Sequence, residues 1–431
     1  MRSTDEIVNV TGGILSCPCT SLIHRYQIDS REVNKGDLFF ALNGEKVNGH
    51  TFLENVARRG AVAAVVNEDY SGEHFGLSLI KVPCPLTALQ TLARSVVRKM
   101  SCRIVGITGS IGKTTTKTFL ATLLQNKLRL MVTPGNQNSQ VGLPLAILNE
   151  VKGDEELLIL EMGMSKKGEL ANLVELFPPD IALITHIDTV HIANFSSLEE
   201  IILEKSEILK NPRTKIGIFP ENIKGKKIFS ETGSCVKQKF CPTSAEGNIL
   251  EKESGIPFKQ KHILQNLAGA LAVARSLGYS YEELLPECSR LELPERRGAR
   301  IEKNGVIFLN DSYNACPDSM KAAMDSLPGP EGDGRRIAVL GEMLELGKLS
   351  EACHYIVGEY SINFIDIAFC IGEGSRTIVQ CRKEAGKAAE FFPNLEHLAA
   401  KLKDFLLPGD VVLLKGSKAV GLWKLIEMVE L

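Results

Sequence analysis

The sequence lacks the features by which membrane and secreted proteins are recognised. No apolar run reaches the roughly 18 residues that a membrane-spanning helix needs. The opening stretch "MRSTDEIVNVTGG" contains no apolar segment as long as a signal-peptide core. We therefore expect a cytoplasmic protein with no membrane span.

Strong net charge and paired cysteines are lacking as well. The 50 Lys and Arg residues nearly balance the 52 Asp and Glu residues, so the formal net charge is only −2. Nucleic acid is therefore not an expected partner, and an anionic ligand must be bound by local charge. The 11 cysteines are dispersed without a C-x-x-C pair, which favours free thiols over a disulfide framework or a zinc site.

What is present is an ordinary globular composition in a long chain. Hydrophobic residues make up 44% of the 431 residues, and a chain of this length suggests about three domains. Changes in the strand and helix pattern predict an N-terminal domain over residues 1–98, a central domain over 99–293 and a C-terminal domain over 294–431. We expect each of them to be α/β.

Short apolar runs mark the strands. In the central zone they are "RIVGIT", "ELLILEMG" and "DIALITHI", separated by helical segments, which predicts βαβ units and a mainly parallel sheet. In the last zone they are "GVIFLND", "RRIAVLGEM", "IDIAFCIGEG" and "DVVLLKGS". Each of these four runs into Gly or Asp at its carboxyl end, where open α/β sheets bind ligands.

The stretch "GITGSIGKTTTKTF" lies between an apolar strand and a Thr-rich helix start. It departs from the general phosphate-binding pattern of Gly, four residues and Gly-Lys-Ser/Thr, because Ile107 occupies the first glycine position. Glycines would still let backbone N–H groups approach phosphate oxygens at a helix N-terminus. We predict a phosphate site rather than a tight turn with a solvated lysine. Its expected nucleotide contacts are Gly109, Ser110, Ile111, Gly112, Lys113, Thr114 and Thr115.

Three further residues fit a metal-assisted phosphate site. Thr114 and Glu161, at the end of the strand "ELLILEMG", are candidate Mg²⁺ ligands, although a salt-bridging glutamate is as good an interpretation of Glu161 from spacing alone. A lone histidine such as His191 is more often structural. Lys205 falls in the middle of an apolar stripe at helical spacing, so its ammonium must snorkel, pair, lose its proton or be modified.

Taken together, the chain resembles the Mur ligase family of ATP-dependent amino-acid and peptide ligases. The loop "GSIGKTTT" matches the family's G-T-x-G-K-T-[ST] with Ser110 where Thr is common. The resemblance implies a carbamylated Lys205 and His191 at a second Mg²⁺, both also counted among the catalytic residues with Lys113. It further implies that the central domain is the ATP-binding domain and that the C-terminal domain is Rossmann-like.

Other motifs carry the resemblance through the chain. "TPGNQNSQVGLP" resembles the segment N-x-N-N-x-x-G-x-P, with Ser139 replacing an asparagine, and implies substrate contacts by Asn136 and Asn138. "KQKHILQNLAGALAVA" resembles a family helix that borders the nucleotide, which implies that His262 and Asn266 lie near the nucleotide in this chain. The first zone's "DSREVNKGDLFFALNGEKVNGHTF" resembles the uridine-diphosphate signature, which implies that Ser30 and Arg31 contact a UDP-sugar.

The last zone indicates which members are most similar. "NDSYNACPDSM", "AVLGEMLELG" and "LLKGSKAVGLWKL" resemble segments of the members that add D-alanyl-D-alanine to UDP-N-acetylmuramoyl-tripeptide through an acyl phosphate. Cys316 and Trp423 depart from those segments. Arg297 is our choice for the family's phosphate-reaching arginine, although Arg296 and Arg300 compete for the alignment. The remaining implied residues are Asp311 for the nucleotide and Tyr313 and Asn314 for the substrate.

Two alternatives stay open. A folate- or cyanophycin-type relative would share the central domain, but the uridine signature disfavours it. A non-catalytic module would bind nucleotide without releasing phosphate. The sequence does not identify the third residue of the tripeptide, diaminopimelate or lysine, and carries no signal for assembly, so we expect a monomer.

Overall fold

The computed structural model describes residues 2–16, 22–44, 47–242 and 255–429. The chain forms three separate sheets, within residues 14–82, 103–240 and 299–415, and helices cover them. Most strand pairs are parallel, which confirms the predicted α/β class. The domain boundaries after residues 98 and 293 stay predictions.

The first sheet has the strand order β1-β5-β4-β3-β2, and only its edge strand β1 pairs antiparallel. Apolar side chains on both faces of the central strands form two small cores, which the helices cover. The strands are β1 (Ile14–Ser16), β2 (Tyr26–Gln27), β3 (Leu38–Phe40), β4 (Ala63–Asn67) and β5 (Ser78–Val82), and the helices are α1 (Thr4–Thr11), α2 (Leu53–Arg58) and α3 (Pro85–Arg98).

The second sheet is entirely parallel, with the order β11-β10-β9-β6-β8-β7. The strands are β6 (Arg103–Thr108), β7 (Leu130–Val132), β8 (Leu157–Glu161), β9 (Ile181–Ile184), β10 (Ile216–Pro220) and β11 (Val236–Phe240). The helices are α4 (Lys113–Leu124), α5 (Gly142–Glu150), α6 (Glu169–Leu176), α7 (Leu198–Ser206), α8 (Lys226–Glu231), α9 (Lys261–Ser276) and α10 (Tyr281–Cys288).

The position of β6 in that sheet determines where a ligand can bind. Parallel sheets are covered on both faces, and β6, β8 and β9 are accordingly almost wholly buried. β6 lies between β8 and β9, so the chain leaves β6 for one side and later returns to the other. The loop after β6 therefore opens at a topological switch point, where a crevice forms.

The third sheet has the order β12-β13-β17-β14-β15-β16, with β12 antiparallel at the edge. The hairpin β12–β13 turns at Asn304-Gly305, both at positive φ, as the Asn-Gly pair of a tight hairpin requires. The strands are β12 (Ala299–Lys303), β13 (Val306–Asn310), β14 (Arg336–Gly341), β15 (Ile367–Ile371), β16 (Ala388–Phe392) and β17 (Val411–Lys415), and the helices are α11 (Pro317–Asp325), α12 (Ser350–Ser361), α13 (Arg376–Glu384), α14 (Leu395–Phe405) and α15 (Leu425–Met428).

All the strands predicted in the central and last zones are present, and the carboxyl ends of β6, β8 and β13 face one cavity of about 790 Å³. Within the described ranges, no helix has both the length and the apolar composition needed to cross a bilayer. The nine cysteines in those ranges carry free thiols, and Cys17 and Cys19 lie outside them.

Candidate active site

The loop between β6 and α4 owes its path to two glycines. Gly109 has φ +148° and Gly112 has φ +87°, a region that L side chains rarely adopt. A Cβ on Gly109 would lie 2.0 Å from Thr185 Oγ1, and one on Gly112 would lie 2.3 Å from Asn266 Oδ1. The spacing of this loop is therefore set by close packing against β9 and α9.

Lys113, the first residue of α4, folds back over the loop. Its Nζ donates to Gly109 O at 2.6 Å and to Ser110 O at 3.4 Å. The side chain borders the cavity, yet so much protein surrounds it that desolvation lowers its pKa, while Glu161 opposes that shift. Lys113 is thus not the solvated lysine of an ordinary turn, because its ammonium is bonded to loop carbonyls. An anion bound in the loop would accept a further hydrogen bond from it.

Glu161 ends β8 directly beside the loop and is almost wholly buried. Its Oε2 accepts from Thr114 Oγ1 at 3.0 Å and from Lys117 Nζ at 2.9 Å, and its Oε1 accepts from Asn138 Nδ2 at 2.6 Å. Burial alone would raise the carboxyl pKa, but Lys117 and Lys113 outweigh it, and the pKa is lowered. Glu161 is therefore an anion that is also a salt-bridge partner.

Arg297 reaches the loop from the third sheet's side of the cavity. Its guanidinium donates to Thr114 Oγ1 at 3.0 Å and stacks on the Tyr313 ring at 3.9 Å. Arg296, by contrast, stacks on Trp423 at 4.2 Å, and Arg300 pairs with an exposed glutamate. Of the three arginines, only Arg297 contacts the phosphate loop in the described structure.

Two further basic side chains, His191 and Lys205, lie close enough to Lys113 to be affected by its charge. His191 has φ +63°, and its Nδ1 contacts the carboxylate of Glu345, which the third sheet's loop supplies. Burial lowers the pKa of His191, and the charges of Lys113 and Lys205 lower it further. The three basic side chains therefore share one region of the protein.

Lys205 is 2% exposed, so its ammonium does not snorkel to solvent. Desolvation lowers the pKa of Lys205 well below its ordinary value, with a further contribution from Lys113. Its amine is therefore poised to be neutral, the form that reacts with electrophiles.

The other predicted residues differ in how close they lie to the loop. Asn136, Asn138, Asn266, Asp311, Tyr313 and Asn314 all line the cavity. Asn266 Oδ1 accepts from Thr116 at 3.4 Å, and Asp311 pairs with Lys415 at 2.8 Å. Ser30 and Arg31 do not line it; Arg31 instead forms a bidentate pair with Asp29 in the first sheet's region, at 2.9 and 2.6 Å.

Three departures from the motifs have local structural explanations. Ser139 Oγ accepts from Gly142 N at 3.1 Å, at the start of α5. Cys316 is 2% exposed at the N-terminus of α11, and burial raises the pKa of its thiol. Trp423 provides the surface on which Arg296 stacks.

Sequence reasoning missed Lys117, Lys415 and Glu345. Lys117 stands one helical turn after Lys113, so its place on the loop side of α4 could have been inferred from i, i+4 spacing. Lys415 donates to Asn314 O at 2.7 Å and ends the strand of "LLKGS", so its place at the carboxyl end of a strand was the available signal. Glu345 carried no local signal.

The side chains fit Mg²⁺ only if a nucleotide completes the coordination. No group of three or more His, Cys, Asp or Glu that could hold a metal ion occurs among the described residues. Thr114 and Glu161 supply hard oxygen atoms at one position, and His191 supplies a nitrogen at the other. Mg²⁺ commonly takes one or two protein ligands, with phosphate and water oxygens filling the rest.

Comparison with known proteins identifies the class. Family models match at residues 22–95 (Mur ligase family, catalytic domain), 107–259 (Mur ligase middle domain) and 296–418 (Mur ligase, glutamate ligase domain). A Bacillus subtilis protein named UDP-N-acetylmuramoyl-tripeptide–D-alanyl-D-alanine ligase is 32% identical over 99% of this chain and 98% of its own.

Solved structures agree with these matches. MurF ligase from Thermotoga maritima, in complex with ADP, has a TM-score of 0.77 at 29% identity and covers 94% of this chain and 97% of its own. MurF from Acinetobacter baumannii has a TM-score of 0.84 at 23% identity, over 99% and 98% of the two chains, and supports the fold. The fold and site together define an ATP-dependent ligase. The chain belongs to the Mur ligase family.

Proposed function

We propose that this chain joins D-alanyl-D-alanine to UDP-N-acetylmuramoyl-tripeptide, giving the pentapeptide, ADP and phosphate in peptidoglycan precursor synthesis. The observation that carries the proposal is end-to-end similarity to a ligase named for this reaction, at 32% identity over 99% of the chain. All three sheets, and not the nucleotide loop alone, lie within that match. A folate-type relative would share the nucleotide site without the uridine signature.

ATP would bind with its phosphates in the loop from Gly109 to Thr115. Backbone N–H groups at the start of α4 and the Lys113 ammonium would face the phosphate oxygens. Asn266 would lie toward the base, and Asp311 would meet the nucleotide from the third sheet. The Thermotoga maritima relative was solved in complex with ADP, which supports the proposal that this chain binds a nucleotide.

Two Mg²⁺ ions would complete the charge balance. Thr114 and Glu161 would hold the first, and His191 with a modified Lys205 the second. Bound Mg²⁺ neutralises phosphate charge and polarises the transferred group. The chain's own part is to keep Glu161 ionised and to hold Thr114 between Glu161 and Arg297.

The modification proposed at Lys205 is a carbamate. The ammonium first loses one proton. The neutral amine then attacks CO₂, an N–C bond forms as one C=O π bond opens, and the nitrogen releases a second proton, so an oxygen anion replaces a cation. Burial of Lys205 supports this step because it favours the neutral amine over the ammonium. The product would offer oxygen ligands of the kind that Mg²⁺ prefers.

The reaction would proceed in two displacements. The tripeptide carboxylate attacks the γ-phosphorus, and the bond to ADP breaks, giving an acyl phosphate. The dipeptide amine then attacks the acyl carbon, and phosphate leaves with the bonding electrons while the amine loses a proton. Lys113 and Arg297 would reduce the repulsion between the two anions that meet in the first step.

The substrate would extend from the cavity to the first sheet. Ser30 and Arg31 would contact the UDP-sugar, and Asn136, Asn138, Tyr313 and Asn314 would contact the peptide end. The polar residues of the peptide end already line the cavity. Because an acyl phosphate hydrolyses, closure of the third sheet's region over the loop would protect it from water.

A substrate-dependent assay of ADP release tests the proposal. The lysine- and diaminopimelate-containing tripeptide precursors are each supplied with and without D-alanyl-D-alanine. ADP release should require one precursor and the dipeptide together. Release with a folate and glutamate instead would point to the folate-type alternative, and nucleotide binding without any release would point to a non-catalytic module. We propose that the protein acts as a monomer in the cytoplasm, where ATP and the UDP-linked tripeptide are both available.

A further inference from the structure

Lys117 is a buried ammonium in the wall of the phosphate site. It is 3% exposed and does not border the cavity. Its Nζ lies 2.9 Å from Glu161 Oε2 and donates to Gly135 O at 2.8 Å. The reaction proposed above assigns it no role, although its partner is the carboxylate given to the first Mg²⁺.

The Glu161 carboxylate is already heavily used within the protein. A carboxylate offers about four lone-pair positions. Three protein donors reach it, from Thr114, Lys117 and Asn138. Little of its coordination capacity remains for a metal ion, and the adjacent ammonium cancels most of its charge.

The same ammonium holds the segment that carries Asn138. Gly135 has φ +51°, so its carbonyl direction depends on a turn that few other residues would adopt. Lys117 bonds that carbonyl and the carboxylate that Asn138 also contacts. One side chain thus couples α4, the end of β8 and the loop from residue 133 to residue 140.

We propose that Lys117 is a positioning residue that acts as a resident counter-cation for Glu161 and disfavours a divalent cation there until a nucleotide is bound. In the nucleotide-free protein, the Lys117–Glu161 pair presents almost no net charge to Mg²⁺. When phosphates fill the loop, their negative charge attracts the cation in spite of Lys117. The protein therefore favours the metal–nucleotide complex over free metal. The inference rests on the proposed first Mg²⁺ position and not on the identity of the peptide substrates.

A simple structural ion pair is the competing explanation. Burying two charges costs desolvation energy that burying two apolar side chains would not cost. A gain in stability is therefore a weak explanation for this buried pair. The two explanations make different predictions. A structural pair affects all ligands of the site in the same direction, whereas a counter-cation affects cations and anions in opposite directions.

The test uses Lys117→Met in the full-length protein. Free Mn²⁺ binding is measured by electron paramagnetic resonance without nucleotide, and ADP binding is measured by calorimetry in EDTA. Removing one positive charge within a few ångströms of the cation should tighten Mn²⁺ binding by about tenfold. It should weaken metal-free ADP binding by about tenfold, because Glu161 is then unshielded from phosphate.

Two further variants complete the test. Lys117→Arg keeps the charge and should match the wild-type protein in both titrations, and Lys127→Met, farther along the chain past the end of α4, should change neither. A misfolded Lys117→Met protein would lose affinity for both ligands. If Lys117→Met keeps the wild-type circular dichroism and its Mn²⁺ binding is unchanged or weaker, the proposal is overturned. Because no peptide substrate is present, failure of the ligase proposal would not produce that result.

Discussion

Lys205 shows how burial changes the chemistry of a single residue. It lies on α7 among apolar neighbours, and its pKa is lowered because water cannot solvate the ammonium. The sequence showed the apolar stripe but left open whether the side chain would snorkel. The structure excludes snorkelling and shows a buried amine with a lowered pKa near His191 and Lys113.

We predict that Lys205→Ala abolishes ligase activity while the fold persists. Shortening this buried side chain costs some packing energy, but the main loss is the proposed carbamate with its oxygen ligands. ADP release should fall to background, circular dichroism should be unchanged, and short carboxylic acids should restore part of the rate. Lys210→Ala, on the exposed surface nearby, is the control. An unaffected rate in Lys205→Ala would remove the carbamate from the mechanism.

His354 gives a second prediction at this scale. It is fully buried, its Nε2 accepts from Met343 N at 2.9 Å, and its Nδ1 contacts Ser350 O at 2.7 Å, so the ring is held neutral. Burial lowers its pKa below the ordinary value of about 6.5. Below that pH the unfolded chain binds a proton that the folded chain does not, so the free energy of unfolding should fall with falling pH.

Thermal unfolding between pH 8 and pH 5 measures this effect. His354→Gln should flatten the dependence on the acidic side, even if the variant is less stable at every pH. His397→Gln, at an exposed helix start, should keep the wild-type slope. Equal slopes in wild-type and His354→Gln proteins would contradict the assignment.

At the scale of elements, the loop between β6 and α4 is specified by steric fit as much as by charge. Gly109 packs against Thr185, and Ser110 N donates to His186 O at 2.7 Å, so the residues that follow β9 hold the loop in place. These contacts fix the path of the loop within the protein itself.

Gly109→Ala should weaken ADP binding at least tenfold. The new Cβ would overlap Thr185 Oγ1, and the backbone would have to leave φ +148°, which would turn N–H groups away from the phosphates. Calorimetry with ADP and Mg²⁺ measures the change. Gly278→Ala also has positive φ but meets no atom within 4 Å, so it serves as a control for backbone strain alone.

The turn that precedes β17 depends on one buried carboxylate, that of Asp410. Asp410 is fully buried and accepts from Arg335 Nη2 at 2.6 Å, Arg335 N at 2.8 Å and Leu407 N at 2.9 Å. Asp410→Ala should reduce the free energy of unfolding by about 3 kcal/mol, because it strands the arginine and two backbone donors. Urea unfolding measures this, with the exposed Asp404→Ala expected to change little.

Most elements could be predicted because parallel strands are buried on both faces and read as continuous apolar runs. "LLILE" is an example, in which even Glu161 is buried. The partner of Glu161 could not be predicted, since Lys117 is brought to it by the pairing of β6 with β8. The choice between Arg296 and Arg297 likewise depended on which aromatic ring each one meets. Tertiary packing determines these contacts, and no local sequence pattern predicts them.

At the scale of the whole molecule, the second and third sheets meet through polar contacts around the cavity. Asp318, at the start of α11, lies 2.9 Å from Lys224 Nζ and 3.3 Å from His186 Nε2. Its backbone N–H donates to Asp188 at 3.2 Å. These contacts hold the third sheet's region over the nucleotide loop.

Asp318→Ala should lower kcat/KM for ATP by roughly tenfold, since loosening a closure costs about the 1.4 kcal/mol of one such charged contact. The loss should appear together with a larger radius of gyration by small-angle X-ray scattering when nucleotide is bound. Asp333→Ala, in the loop before β14, is the matched control. A normal rate with an unchanged radius would show that other contacts maintain closure.

The bond from Arg297 to Thr114 spans 183 positions of the chain. During synthesis on the ribosome, the loop and its carboxylate emerge long before the arginine that completes them. We therefore expect a nascent chain that has formed only its first two sheets to consume no ATP. Refolding followed with a fluorescent nucleotide should accordingly lag behind recovery of backbone ellipticity, because the last third of the polypeptide must dock before the pocket is whole.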